Sequence, residues 1–130
     1  MSGRDPRKVS ERLIHKGVVD LLRFNAVPSV VWYHVAHERR TTPQEGAFLK
    51  RMGVLAGVAD FTLLIPCPLG APFIAFLEIK SADGVLSPAQ RAFRESVEKI
   101  GCLYAVTRSI DEAKQKLVDW GANGRAVAAK

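Results

Sequence analysis

The chain has 130 residues, 48% of them apolar, which suits one domain around one core and argues against a disordered segment. No apolar run approaches the ~20 residues of a membrane helix, and the start "MSGRDPRKVSER" lacks the apolar stretch of a secretory signal, so a soluble, cytoplasmic protein is expected. The net charge of +6 is concentrated in residues 1–52, which carry 10 Lys or Arg against 5 Asp or Glu, and a basic half of this kind suits a polyanionic partner.

In chain order, "DPRKVSERLIHKGVVDLLRF" reads as a helix, with Asp5 as its cap and Pro6 in its first turn. "PSVVWYHVA" follows as a β-rich strand. "RRTTPQEGAFLKRM" contains a short helix starting near Pro43. "ADFTLLIP" and "PFIAFLEIK" are the second and third strands. "SPAQRAFRESVEKIG" is a helix with a Ser-x-x-Gln capping box, Ser87 to Gln90, stopped by Gly101. "CLYAVT" is a fourth strand. "SIDEAKQKLVDWG" is a last helix boxed by Ser109 and Glu112. The expected unit is a single domain over residues 1–121, followed by a flexible tail over 122–130 that lacks an apolar face. The order predicts an α/β fold, a mixed sheet flanked by helices. Cys67 and Cys102 form no CxxC pair and read as reduced thiols; His15, His34 and His37 read as surface or packing residues.

The third strand raises a question of charge. Its residues Phe73, Ala75, Leu77 and Ile79 share one face, while Ile74 and Phe76 share the other with Glu78 and Lys80. A strand apolar on both faces is expected to be central and covered on both sides. Charges at its end are then costly unless something compensates them. The Pro- and Gly-rich connection "PCPLGAP" predicts a hairpin centred near Leu69, which places Asp60 opposite or nearly opposite Glu78. Facing carboxylates make sense around a divalent cation. Lys80 can neutralise charge and position or deprotonate a water molecule. On the first helix Glu11 falls on the apolar stripe of Ile14, Val18 and Leu22, so its reach is inward. Read blandly, Glu78 and Lys80 are a strand-end ion pair, Glu11 answers the helix dipole, and Gln90 only caps.

Asp, a hairpin and Glu-x-Lys together resemble the PD-(D/E)xK nuclease superfamily. Over residues 9–120 the chain is similar to the virus-type replication-repair nuclease (VRR-NUC) domain: Glu11, Gly57 to Asp60, Glu78 to Lys80, Gly84, Ser87 and Gln90 match its motifs. Ala59 stands where the family often has Pro, and "HVAHE" replaces a His-x-Pro-Asn-like motif. The resemblance implies a restriction-endonuclease-like α-β-β-β-α-β core and a metal-dependent DNA endonuclease. It implies Mg²⁺ or Mn²⁺ on Asp60, Glu78 and the Ile79 carbonyl, with Glu11 completing or supporting the site. Lys80 would orient the water, and Gln90 would hold Lys80, the water or a phosphate. It further implies a homodimer acting on branched DNA such as Holliday junctions, typical of phage or prophage genomes. Arg39, Arg40, Lys50 and Arg51, with Ser87 at a helix N-terminus, are the expected phosphate contacts. The alternatives are a nuclease for flap, nick or duplex substrates, and a non-catalytic DNA-binding module on the same fold.

Overall fold

A computed structural model of the chain describes residues 9–35 and 42–124. Its elements are α1 (Glu11–Asn25), β1 (Val31–His34), α2 (Pro43–Arg51), β2 (Phe61–Cys67), β3 (Gly70–Ile79), α3 (Pro88–Lys99), β4 (Leu103–Thr107) and α4 (Ile110–Asp119). The four strands form one sheet in the order β1-β2-β3-β4. The first three are antiparallel neighbours, and β4 joins β3 in parallel after the α3 crossover. This is the mixed sheet that the element order implied.

Strand alternation divides the core between the two faces. Phe61, Leu63, Ile65, Ala75, Leu77 and Ile79 point to the face covered by Ile14, Val18 and Leu22 of α1 and by Ala113 and Leu117 of α4. The spacing of four residues in α1 keeps its three buried side chains on one stripe. Gly17 lets α1 approach α4, since a Cβ there would run into the Ile110 side chain. On the opposite face α3 packs Phe93 and Val97 against Ala59 and Tyr104, with Phe76 edge-on to Phe93. No described helix is long and apolar enough to cross a membrane.

Four details differ from the sequence reading. First, α1 begins at Glu11. Ser10 is its cap, with extended backbone and an Oγ that accepts from Leu13 N at 3.2 Å; Asp5 and Pro6 lie outside the described residues. Second, double coverage of β3 holds only for its C-terminal half. There β4 pairs with Ala75 to Ile79, whereas Phe73 and Ile74 pair with β2 alone and are 48% and 40% exposed.

Third, the α4 box closes one residue early. Ser109 Oγ accepts from Glu112 N, but the Glu112 carboxylate accepts from Arg108 N. Fourth, the domain does not stop at residue 121. Ala122 and Asn123 are buried, Val27 N donates to Ala122 O at 2.8 Å, and Asn123 Nδ2 donates to Leu21 O at 3.2 Å. The rest of the expected tail, residues 125–130, lies outside the described residues.

Candidate active site

The β2–β3 hairpin sets the two central acids by register. Phe61 lies across from Leu77, and the same register continued by one residue sets Asp60 across from Glu78. The irregularity between Ile65 and Cys67 shifts the register by one residue from the Cys67–Gly70 pair onward, and that shift is what sets Asp60 across from Glu78 and not Leu77. Asp60 is then fixed from three sides. Its Oδ2 accepts from Ile79 N at 2.8 Å; its carbonyl oxygen accepts from Val35 N at 3.1 Å and meets His34 Nδ1 at 2.7 Å.

Glu78 lies on the α3 side of β3 and is 3% exposed. Its Oε2 accepts from Gln90 Nε2 at 3.3 Å, while the buried Oε1 has no hydrogen-bond partner. Burial first, and then the charge and hydrogen-bonding of neighbouring Asp60, raise the Glu78 carboxyl to about 8 against the opposing Lys80 charge. Glu11 adds a smaller upward push. Glu11 sits in the first turn of α1, where its Oε2 accepts from Ser81 N at 3.3 Å across 70 residues of sequence. The inward reach expected of Glu11 is therefore toward the end of β3. Lys80 is half-buried, with its backbone N–H tied to Thr107 O.

Gln90 uses both ends of its amide. Oε1 accepts from Ser87 N at 2.8 Å to complete the capping box, and Nε2 reaches Glu78. Ser87 is committed to the same box, its Oγ accepting from Gln90 N. The α3 start is thus locked to the acid at the end of β3. Gly57 brings the Asp60 segment against the same turn: at φ +82°, it passes so close that a Cβ would strike the Ala89 carbonyl and lie 2.7 Å from Gln90 N.

An unpaired buried carboxylate oxygen next to a second carboxylate suits a hard divalent cation, which prefers an all-oxygen donor set. The donors present therefore fit Mg²⁺ or Mn²⁺ chemically.

No protein-family model and no curated protein matches the chain. Solved structures similar to it include two VRR_NUC domains. One, described as a "VRR_NUC domain protein", has a TM-score of 0.69 and 20% identity, covering 96% of this chain and 100% of its own. Another, described as a "VRR_NUC domain", has a TM-score of 0.55 and 18% identity, covering 84% of this chain and 94% of its own. The chain has the VRR-NUC fold. At about one identical residue in five, the likeness lies in the path of the backbone and the order of its elements.

On this VRR-NUC fold the expected site residues separate into two groups. Glu11, Asp60, Glu78, Ile79, Lys80 and Gln90 converge at the end of β3. Of the expected phosphate contacts, Lys50 and Arg51 are exposed in the last turn of α2. Lys50 also borders an apolar cleft of ≈ 800 Å³ between α2 and α3, lined by Leu49, Val54, Leu55, Ala89 and Phe93. Arg39 and Arg40 lie outside the described residues, as does His37.

Three side chains near the site were not anticipated in their roles. His15 and His34 meet edge to face with ring centroids 4.4 Å apart, beside Asp60. Burial lowers the His15 pKa, His34 lowers it further, and Asp60 opposes this. The third is Arg108, whose Nη1 donates to Ser81 O at 2.7 Å and Gly84 O at 2.6 Å. It pins the loop that follows Lys80 and carries the Ser81 amide bound by Glu11. Arg108→Ala is expected to destabilise the fold by about 1–2 kcal/mol, the usual cost of losing charge-assisted bonds to carbonyls. Hydrogen exchange should then accelerate at Ser81 to Gly84 more than elsewhere, and uniform acceleration would refute the pinning role.

Proposed function

We propose that the chain is a metal-dependent deoxyribonuclease that cuts branched DNA, of the Holliday-junction-resolving kind, as a homodimer. The observation that carries this reading is the Asp60–Glu78 pair, in which Glu78 is buried with one oxygen unpartnered and Lys80 follows on the same strand face. Asp60, Glu78 and the Ile79 carbonyl would hold Mg²⁺ or Mn²⁺, with Glu11 in support. Such an ion, when bound, stabilises charge on the phosphate and makes water a better nucleophile. Lys80 orients the water and stabilises its anionic form. Gln90 keeps Glu78 aimed through its Nε2 contact. The water oxygen bonds to phosphorus, the bond to the 3′ oxygen breaks, and the products are a 5′-phosphate and a 3′-hydroxyl.

The DNA reading is supported by the basic N-terminal half and by exposed Lys50 and Arg51 beside α3. The homodimer reading is supported by an apolar row across three strands, Val31, Leu64 and Ile74, of which 55%, 36% and 40% is exposed.

The test compares cleavage of labelled four-way junction, flap and linear duplex in Mg²⁺, Mn²⁺ and EDTA. Junction cleavage is expected in either metal, none in EDTA, and a loss of at least about 100-fold in Glu78→Ala. Cleavage of flap or duplex instead would keep the nuclease and replace its substrate. Binding at low salt without cleavage in either metal would leave a DNA-binding module.

A further inference from the structure

The face of α1 that carries Glu11 also carries His15, one turn further on. His15, His34 and Asp60 come from α1, β1 and the residue before β2, and one potential ligand atom from each lies within 4.8 Å of the others. Both imidazoles rest on the fully buried Phe61 ring, at centroid distances of 4.7 and 5.6 Å, so their backing is rigid. The partner of His34 Nδ1 is the Asp60 carbonyl oxygen at 2.7 Å, which can only accept. Nδ1 must therefore carry the proton of the neutral ring, and Nε2 keeps the lone pair. A ring N–H donated to a carbonyl is the usual way a ligating histidine is oriented.

We propose that His15, His34 and Asp60 form a second cation position, suited to a borderline transition-metal ion such as Zn²⁺ and sharing Asp60 with the all-oxygen position at Glu78. Two imidazoles and one carboxylate favour Zn²⁺ over Mg²⁺, whose preference is for oxygen donors. Donors on a Zn²⁺ shell of about 2.0–2.1 Å sit roughly 3.3 Å apart. Closing the triad from 4.8 Å therefore takes side-chain movements on the order of 1 Å, within reach of rotation at His34, which is exposed. This position does not depend on the nuclease reading, because it concerns ion binding alone.

The test titrates the metal-free full chain with Zn²⁺ by calorimetry, and with Co²⁺ by visible absorption, near neutral pH. One equivalent of Zn²⁺ should bind, and Co²⁺ should give the visible band of a site with nitrogen ligands. His34→Gln, which removes an exposed side chain, should weaken Zn²⁺ binding by at least about 10-fold, and His15→Asn by a similar factor. Glu78→Gln, which changes only the charge next to Asp60, should weaken Zn²⁺ binding by less than either histidine variant, which separates this position from the one the nuclease reading requires. Circular dichroism of each variant checks that it is folded. Failure of the wild type to bind Zn²⁺, unchanged affinity in folded His34→Gln, or a loss in Glu78→Gln as large as in the histidine variants would overturn the proposal.

Discussion

Glu78→Gln is expected to stabilise the metal-free protein above pH 8 and to abolish cleavage under the same conditions. In the fold the Glu78 carboxyl is raised from its ordinary 4.5 to about 8, chiefly by burial and then by Asp60. The sign follows from linkage. Below about pH 4.5 both folded and unfolded chains hold the proton, and Glu78 costs nothing. Between 4.5 and 8 the unfolded chain releases it while the folded chain retains it, so stability falls as pH rises. Above 8 the loss is complete. A single group with those values would lose roughly 5 kcal/mol, and sharing of the proton with Asp60 makes this an upper bound.

The neutral amide of Gln removes the penalty and can still accept from Gln90. Urea unfolding of both proteins from pH 5 to pH 9 measures the difference, since other titrating groups cancel. The wild-type curve should fall relative to the variant as pH rises. Mg²⁺ at high pH should restore the wild type and leave Glu78→Gln unmoved. Parallel pH curves would mean that Glu78 is ordinarily hydrated and its unpartnered oxygen of no consequence. The expected opposition of stability and activity is that of a site held against its own electrostatics.

The parts of this site that were legible before folding are those encoded by short-range chemistry. The hairpin could be read because its Pro- and Gly-rich turn marks the centre; the turn at Pro68 and Leu69 alone would centre the pairing between those two residues, and the irregularity between Ile65 and Cys67 moves it to Leu69, where Asp60 faces Glu78. Ser87 and Gln90 were legible because a capping box is closed within four residues. The start of α1 was not. Asp5–Pro6 is a stronger local signal than Ser10, whose N3 residue is Leu13 and cannot return the hydrogen bond of a box. Gln90 could be recognised as a cap, but its second contact, with Glu78, depends on where the crossover lays α3 against the sheet.

Contacts over long distances in sequence carried no signal at all. His15 and His34 sit on different elements and look like packing residues until β1 and α1 meet over Phe61. Arg108 ends a strand as many arginines do, and its two carbonyl partners lie 27 and 24 residues away. Ala122 and Asn123 look like the start of a tail because small and polar residues announce no core. Their burial comes from backbone pairing with the end of α1.

Gly57→Ala should cost both stability and activity, and Gly53→Ala supplies the comparison. Both glycines have positive φ, +82° and +92°, so alanine is strained at each by about 1–2 kcal/mol. Around Gly53 a Cβ would meet nothing within 4 Å, and the effect should end there. At Gly57 the added carbon would strike the backbone of Ala89 and approach Gln90 N to 2.7 Å. Backbone in the first turn of a helix cannot step aside as a side-chain tip can, so α3 or the Asp60 segment must shift.

A total loss of about 3 kcal/mol or more is therefore expected in Gly57→Ala, against about 1–2 for Gly53→Ala. The shift would separate Gln90 Nε2 from Glu78, a contact already at 3.3 Å, and loosen Ala59 from Phe93. Cleavage by the folded fraction of Gly57→Ala should accordingly fall by at least about 10-fold, because a displacement of about 1 Å is enough to misplace a reacting group. Gly53→Ala should cleave as the wild type does. Urea midpoints and cleavage rates for the two variants decide the matter. Equal losses at the two positions would mean that the close pass of Gly57 over α3 contributes nothing, and that Asp60 and Glu78 are set by the hairpin alone.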